Sequence, residues 1–269
     1  MSAYYQLLDR RLTTDGIVHA SYRSNLATQG AWNAHEQHMA PATGVICAEL
    51  EQFNPLASMR IARISLDIFG LIPFGEFSIS TQVIRPGKTI ELIETTMQAQ
   101  GRTCIVARAW RIQLQDSSSI AGLEDQPVPT AEQYPVWDGI KRWPGGFIQS
   151  LEARAEPQRR AGKGLVWLSS PLSMVADQPT SDFVRLMGLV DTANGVASRQ
   201  DDEFTWAFPN LDLQIHLQRL PTGRWLGLET VQQYGQDGIG LTSSVLHDQH
   251  GPFGRSEQIL TLRELDAKL

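Results

Sequence analysis

The sequence predicts an α+β protein built of two similar halves, each an antiparallel sheet curled round one helix. Three observations predict it. In each half an apolar stretch at helical spacing runs into a set of strands that alternate with period two. The strands echo one another: Leu66-Asp67-Ile68 leads to Pro73-Phe74-Gly75-Glu76-Phe77, and Leu211-Asp212-Leu213 leads to Pro221-Thr222-Gly223-Arg224-Trp225. The copies lie much further apart than the roughly 20–50 residues of a solenoid repeat, so a duplicated domain is expected. Between them, Asp116 to Pro144 shifts to Ser, Pro, Asp and Glu, as a linker does. The expected organisation is a first domain over 1–116, a linker over 117–145 and a second domain over 146–269.

Taken in order, residues 4–34 read as a strand pair with turns at Thr13-Thr14-Asp15-Gly16 and Thr28-Gln29-Gly30. Ala42, Ile46, Leu50 and Phe53 share one helical face, and Asn54-Pro55 ends that helix. Four alternating strands follow, Arg60 to Phe69, Glu76 to Ile84, Thr89 to Gln100 and Thr103 to Gln115. The turns between them are Pro73-Phe74-Gly75, Arg85-Pro86-Gly87 and Gln100-Gly101. The second half repeats the plan, with strands over Phe147 to Arg154 and Gly164 to Leu168. One long helix begins after Thr180 or Ser181, either of which can accept from first-turn amides. Strands over Leu211 to Leu217, Arg224 to Gln233, Leu241 to His247 and Ser256 to Leu262 complete it.

Composition excludes several classes. With 42% hydrophobic residues the chain can bury a sizeable core, yet no window approaches the roughly 20 apolar residues of a membrane span. The start, Met1-Ser2-Ala3-Tyr4-Tyr5-Gln6, lacks the basic and apolar regions of a secretory signal, so a cytoplasmic location is expected. Two cysteines, Cys47 and Cys104, are too few for a disulfide scaffold and sit in apolar surroundings as core thiols. A formal charge of −6 argues against a nucleic-acid partner.

In the second helix Phe183, Leu186, Met187 and Val190 form a buried stripe, and Asp191 lies at its edge. A carboxylate there is costly unless it is paired or used; spacing alone leaves open an exposed helix residue, a cap and a functional group. Asn194 lies nearer the middle of the stripe, as a satisfied core amide or part of the same polar cluster. Asn210 precedes the alternating run to Leu217, and Gln258 interrupts the apolar start of the last strand. Each alone fits a solvent-facing sheet residue. Together with Asp191 they could hold a water between an acceptor and two amides.

The stretch Phe208-Pro209-Asn210-Leu211-Asp212-Leu213 through Arg224-Trp225-Leu226 resembles the acyl-CoA thioesterase II-like family, whose members have a double hotdog fold. Gly238-Ile239-Gly240 through Leu246-His247-Asp248-Gln249-His250-Gly251 to Gln258, and Leu189-Val190-Asp191-Thr192-Ala193-Asn194, resemble it too. The first half is compatible, from Trp32-Asn33 to Glu51. The resemblance implies two tandem hotdog domains and hydrolysis of fatty acyl-CoA to free fatty acid and CoA, with no cofactor. It carries the catalytic aspartate onto Asp191 and the strand glutamine onto Gln258. The third position, usually threonine or serine, falls on Asn210, which can donate but has no hydroxyl to rotate. A second departure is His38-Met39-Ala40-Pro41, where many relatives have a glycine pair. Asp191 would activate a water, Asn210 and Gln258 would position it, and helix-start amides would hold the oxyanion. The partners implied are acyl-CoA and further copies of the chain, as a homodimer or higher homo-oligomer.

Glu49, on the first helix, is a rival carboxylate; otherwise it would pair with an arginine such as Arg111. Arg159, Arg160 and Lys163 could meet the phosphates of CoA or form an ordinary basic loop. His35-Glu36-Gln37-His38 spaces its histidines three apart, not the four of a zinc helix, and no metal site is expected. No Gly-x-Ser-x-Gly occurs, which removes the α/β-hydrolase elbow. Two rivals stand beside hydrolysis: a non-catalytic acyl-CoA or lipid-binding protein, and a hotdog dehydratase or hydratase, which would need a histidine paired with an aspartate.

Overall fold

The computed structural model describes residues 2–200 and 205–265. In the first half, β1 (Ala3–Leu12) and β2 (Val18–Ser24) precede α1 (Met39–Gln52). The meander β3 (Met59–Ile68), β4 (Glu76–Arg85), β5 (Ile90–Ala99) and β6 (Arg102–Gln113) follows. Every residue of α1 from Met39 to Leu50 is buried, as befits a helix apolar on all sides. His38 caps it, and Pro41 falls in the first turn, where a missing N–H costs nothing.

The second half holds α2 (Gly146–Ser150), β7 (Glu152–Ala155), β8 (Lys163–Ser169), β9 (Ser173–Val175), α3 (Asp182–Met187) and α4 (Ala193–Val196). Then come β10 (Trp206–Ala207), β11 (Asp212–Leu217), β12 (Leu226–Tyr234), β13 (Ile239–Asp248), β14 (Gly251–Thr261) and β15 (Arg263–Glu264). Two expectations are corrected. The strand expected from Phe147 starts only at Glu152, because Gly146–Ser150 forms a helical turn, closed by the Ser150 hydroxyl donating to the Phe147 carbonyl at 2.7 Å. The single long second helix is broken at Gly188 into α3, a 3₁₀ turn over Val190–Thr192, and α4.

Thirteen strands of the described residues form one sheet, in the order β7-β8-β12-β13-β14-β11-β3-β6-β5-β4-β2-β1-β9. Six strands of each half therefore stand in the same relative order, and the halves meet edge to edge at β3 and β11. There the echoed aspartates pair directly, Asp212 opposite Asp67. At the far edge β9 runs parallel to β1, so a second-half strand also closes on the first half. All other pairings in this sheet are antiparallel. The helices α1 and α3 pack where Gly44 and Gly188 meet: a Cβ on Gly44 would lie 3.0 Å from the Gly188 Cα and 2.1 Å from the Met174 Cε. The stretch between the halves has no strand but is packed, with Ala131, Ile140 and Trp143 buried and the Pro129 carbonyl accepting from Trp167 Nε1 at 3.1 Å. Cys47 and Cys104 are free and buried. Among the described residues no helix is long and apolar enough to cross a membrane.

Candidate active site

Ser181 starts α3 by accepting from the Val184 amide at 3.1 Å, and Asp182 sits in the first turn. Phe183, Leu186, Met187 and Val190 are all buried. Gly188 ends the helix so that α1 can come close, and the chain re-enters through the 3₁₀ turn, where Thr192 Oγ1 donates to the Leu189 carbonyl at 2.6 Å. The break turns Asp191 from the edge of the stripe to the inside, where it is 5% exposed.

There the structure brings the three predicted side chains together. Asp191 Oδ1 accepts from Asn210 Nδ2 at 2.9 Å and from Gln258 Nε2 at 2.9 Å. Asn210, bridged to Leu260 just before β11, also donates to the Asp212 carbonyl at 3.0 Å. Both of its amide hydrogens are therefore committed, and its Oδ1 is left to accept. Asp191 Oδ2 faces His38 Nδ1 at 3.5 Å. That nitrogen already accepts from the Ala40 amide at 3.0 Å, so in a neutral ring the proton resides on Nε2 and Oδ2 receives no hydrogen from His38. Burial pushes the Asp191 carboxyl up to about 6, while the Asn210 and Gln258 hydrogen bonds pull the other way. Burial pushes His38 down to about 4. At neutral pH the pair is a carboxylate with one open oxygen beside an uncharged imidazole.

Two cavities meet at this point, and Trp32, His38, Asp191 and Asn210 line both. One, about 490 Å³, opens between Glu36, Met39, Leu71 and Arg263. The other, about 60 Å³, is lined by Ile140, Trp143, Ile148, Asn194, Val196 and Phe208. Gln258 lines neither and is 1% exposed, so it holds the carboxylate from behind instead of touching a water in the cavities. Met39, the first residue of α1, lines the larger cavity and carries an amide that the helix cannot satisfy from within.

Residues 126–262 match the family model of the acyl-CoA thioesterase C-terminal domain, and residues 28–112 match that of the N-terminal domain. The chain belongs to the acyl-CoA thioesterase family. No curated protein matches it in sequence. Among solved structures it is similar to a conserved protein of unknown function with hot dog fold from Alicyclobacillus acidocaldarius, with TM-score 0.74, 11% identity and 96% of each chain covered. It is also similar to an acyl-CoA thioesterase II from Mycobacterium marinum, with TM-score 0.65, 15% identity and 97% of each chain covered. The dehydratase domain of RzxB from Pseudomonas fluorescens aligns with TM-score 0.60 and 14% identity over 96% of this chain and 98% of its own. These likenesses establish a hotdog fold with a large, mostly antiparallel sheet; family membership makes the protein a thioester hydrolase.

The rival candidate carboxylate of this thioesterase, Glu49, lies away from both cavities. It is fully buried, accepts from Arg10 Nε at 3.1 Å and is bonded to the Tyr22 hydroxyl. Arg111, its expected partner, instead binds Glu91 at 2.9 Å and the Phe53 carbonyl at 3.0 Å. Arg159 stacks on Trp137 at 4.2 Å, and neither it nor Arg160 or Lys163 lines the two cavities. His35 is exposed, and among the described residues no group of three or more His, Cys, Asp or Glu is arranged to hold a metal. His38 and the aromatic wall of Trp32, Trp143 and Phe208 are the site residues that sequence reasoning missed. His38 had a local signal, a side chain able to cap the apolar helix that follows it, but nothing local placed it against Asp191.

Proposed function

We propose that this thioesterase hydrolyses acyl-CoA with Asp191 as general base, on a frame of two tandem hotdog domains over 1–116 and 146–269 joined by 117–145. The observation that carries the reading is the open Oδ2 of a buried carboxylate at the meeting point of two cavities. A water there donates one hydrogen to Asp191 Oδ2 and the other to Asn210 Oδ1. As its oxygen attacks the thioester carbonyl carbon, its proton passes to Oδ2. The carbonyl oxygen, now negative, lies towards the start of α1, where the Met39 amide and the helix dipole favour it. The carbon–sulfur bond then breaks, the thiolate takes the proton back from Asp191, and acid and thiol leave. Gln258 is a positioning residue that fixes the carboxylate. The larger cavity, with Arg263 at its rim, takes the pantetheine side of the thioester, and the smaller one takes the acyl group.

A homodimer or higher homo-oligomer belongs to the same proposal, supported by exposed Leu241 and Ile259, which pair across β13 and β14 on the outer face. So does a cytoplasmic location, supported by the two free cysteines. The test is thiol release from an acyl-CoA panel by the wild type and Asp191→Asn. The reading expects turnover that falls at least about a thousandfold in the variant while the fold is kept.

One observation favours a second reading: a histidine from the first half stands 3.5 Å from the aspartate of the second, the pairing a hotdog hydratase or dehydratase needs. Loss of the enoyl absorbance of a 2-enoyl-CoA without thiol release would favour it over hydrolysis.

A further inference from the structure

The larger cavity carries an acidic group that the hydrolysis does not use. Glu36 lines it together with Gly30, His38 and Asp191, and is 8% exposed. Among the described residues no side chain donates to its carboxylate and no cation pairs with it. Burial pushes its carboxyl above the ordinary value, and the Asn33 amide alone favours its charge. Neither of its oxygens is closed off from water. The side chain runs along the cavity wall at Gly30, where a Cβ would stand 2.9 Å from Glu36 Cγ and 3.2 Å from Oε1. Glycine at that position leaves the carboxylate its place.

The backbone sets where that carboxylate stands. Bridges from Glu36 to Pro73 and from Gln37 to Gln29 hold the segment extended as far as His38, which caps α1. Alternate side chains of an extended segment share one side and stand about 7 Å apart. Glu36 is therefore one step along the wall from His38, whose Nδ1 lies 3.5 Å from Asp191 Oδ2. Gln37, between them, turns away and donates to the Pro73 carbonyl at 2.8 Å. A carboxylate with open lone pairs and no cation is served by water or by an N–H donor. The pantetheine arm of CoA carries such a donor at this range, because its first amide nitrogen is four bonds from the attacked carbon. Its second amide, eight bonds away, lies well past it.

We infer that Glu36 sets the specificity of this site for the thiol half of its substrate, by accepting a hydrogen bond from the first amide N–H of the pantetheine arm. The inference rests on the thioesterase reading and assigns a residue to that same site. An arm without the donor displaces water from Glu36 and leaves its charge unsatisfied, which is the source of the selectivity. The test uses the acid that the wild type releases fastest from CoA, presented as thioesters of N-acetylcysteamine and of 2-mercaptoethyl acetate. These differ only in an N–H against an ester oxygen at the atom in question. The kcat/KM for thiol release, divided by the rate of hydrolysis in hydroxide, is compared on the wild type, Glu36→Leu and Glu36→Gln. The wild type is expected to prefer the amide by about tenfold or more, and Glu36→Leu to bring the ratio within about twofold of unity by slowing the amide substrate. Glu36→Gln, which keeps an acceptor and loses the charge, should fall between. On the CoA ester itself Glu36→Leu should lose the same factor. A wild-type ratio near unity, or a preference unchanged in Glu36→Leu, overturns the inference while leaving hydrolysis intact. Should that variant not fold, a preference unchanged in Glu36→Gln does the same. If neither short thioester turns over, an undiminished kcat/KM of either variant on the CoA ester overturns it. No thiol release from any CoA ester by the wild type sinks the thioesterase reading, and the inference with it.

Discussion

Replacing Asp191 by asparagine should make the protein more stable while stopping its chemistry. The carboxyl is raised from its ordinary 3.8 to about 6 chiefly by burial, which corresponds to about 3 kcal/mol of folding free energy. The group is 5% exposed, so little of this is screened by solvent. Because the folded-state pKa lies above the unfolded one, the folded state holds the proton more tightly. The wild type therefore has its full stability below about pH 4, loses it as the pH rises towards 6, and stays about 3 kcal/mol down above that. Asparagine has no such charge. Its oxygen keeps the Asn210 and Gln258 donors, and its amide, placed where Oδ2 was, faces the cavities. Urea unfolding at pH 4, 5, 6 and 8 reads the difference between the two proteins. It should be near zero at pH 4 and grow to about 3 kcal/mol at pH 8, a rise in Tm of roughly 6–12 °C. A variant less stable than wild type at pH 8, or a difference that ignores pH, would refute the claim that Asp191 is a desolvated charge held for catalysis.

Three other substitutions separate roles. Gln258→Leu removes a donor that favours the ionised carboxylate, so the acid limb of the kcat/KM profile should move up in pH, and the rate should fall more at pH 6 than at pH 8; an unchanged limb would show that the glutamine does not tune Asp191. Glu49→Gln weakens the contacts with Arg10 and Tyr22, and thermal unfolding should show a loss of about 1–3 kcal/mol with activity within about twofold, the reverse of the Asp191→Asn signature. Gly44→Ala puts a methyl against Gly188 and Met174 and should cost about 1–3 kcal/mol by denaturant unfolding; a neutral result would mean that Met174 moves aside freely.

The meanders were legible because period-two burial runs through much of their strands. The strand expected over Arg60 to Phe69 runs from Met59 to Ile68, and the buried residues of β5 alternate from Glu91 through Ile93, Thr95 and Met97 to Ala99. The duplication was legible in the two Leu-Asp motifs, which prove to be register partners. The break at Gly188 was hidden because the stripe of Phe183, Leu186, Met187 and Val190 keeps helical spacing across it. The approach of Met174 and of α1, contacts that the local stripe does not encode, crowds the space a side chain at 188 would take. The grouping of Asp191, Asn210 and Gln258 could be named through a resemblance, but no local pattern puts residue 258 against residue 191. His38 was less accessible still, since its contact with Asp191 depends on how the two halves join at β3 and β11. The aromatic wall shares that limit: Trp32, Trp143 and Phe208 come from three separate segments.

The most direct test of Asp191 as general base is the pH dependence of kcat/KM for acyl-CoA hydrolysis, measured by thiol release from pH 4.5 to 8.5 on the wild type and Asp191→Asn. The account predicts a wild-type rate that rises with pH, is half-maximal near pH 6 and levels off above it, and a variant whose residual rate has no such limb. A profile flat from pH 5 to 8, or one that survives the substitution, would contradict it.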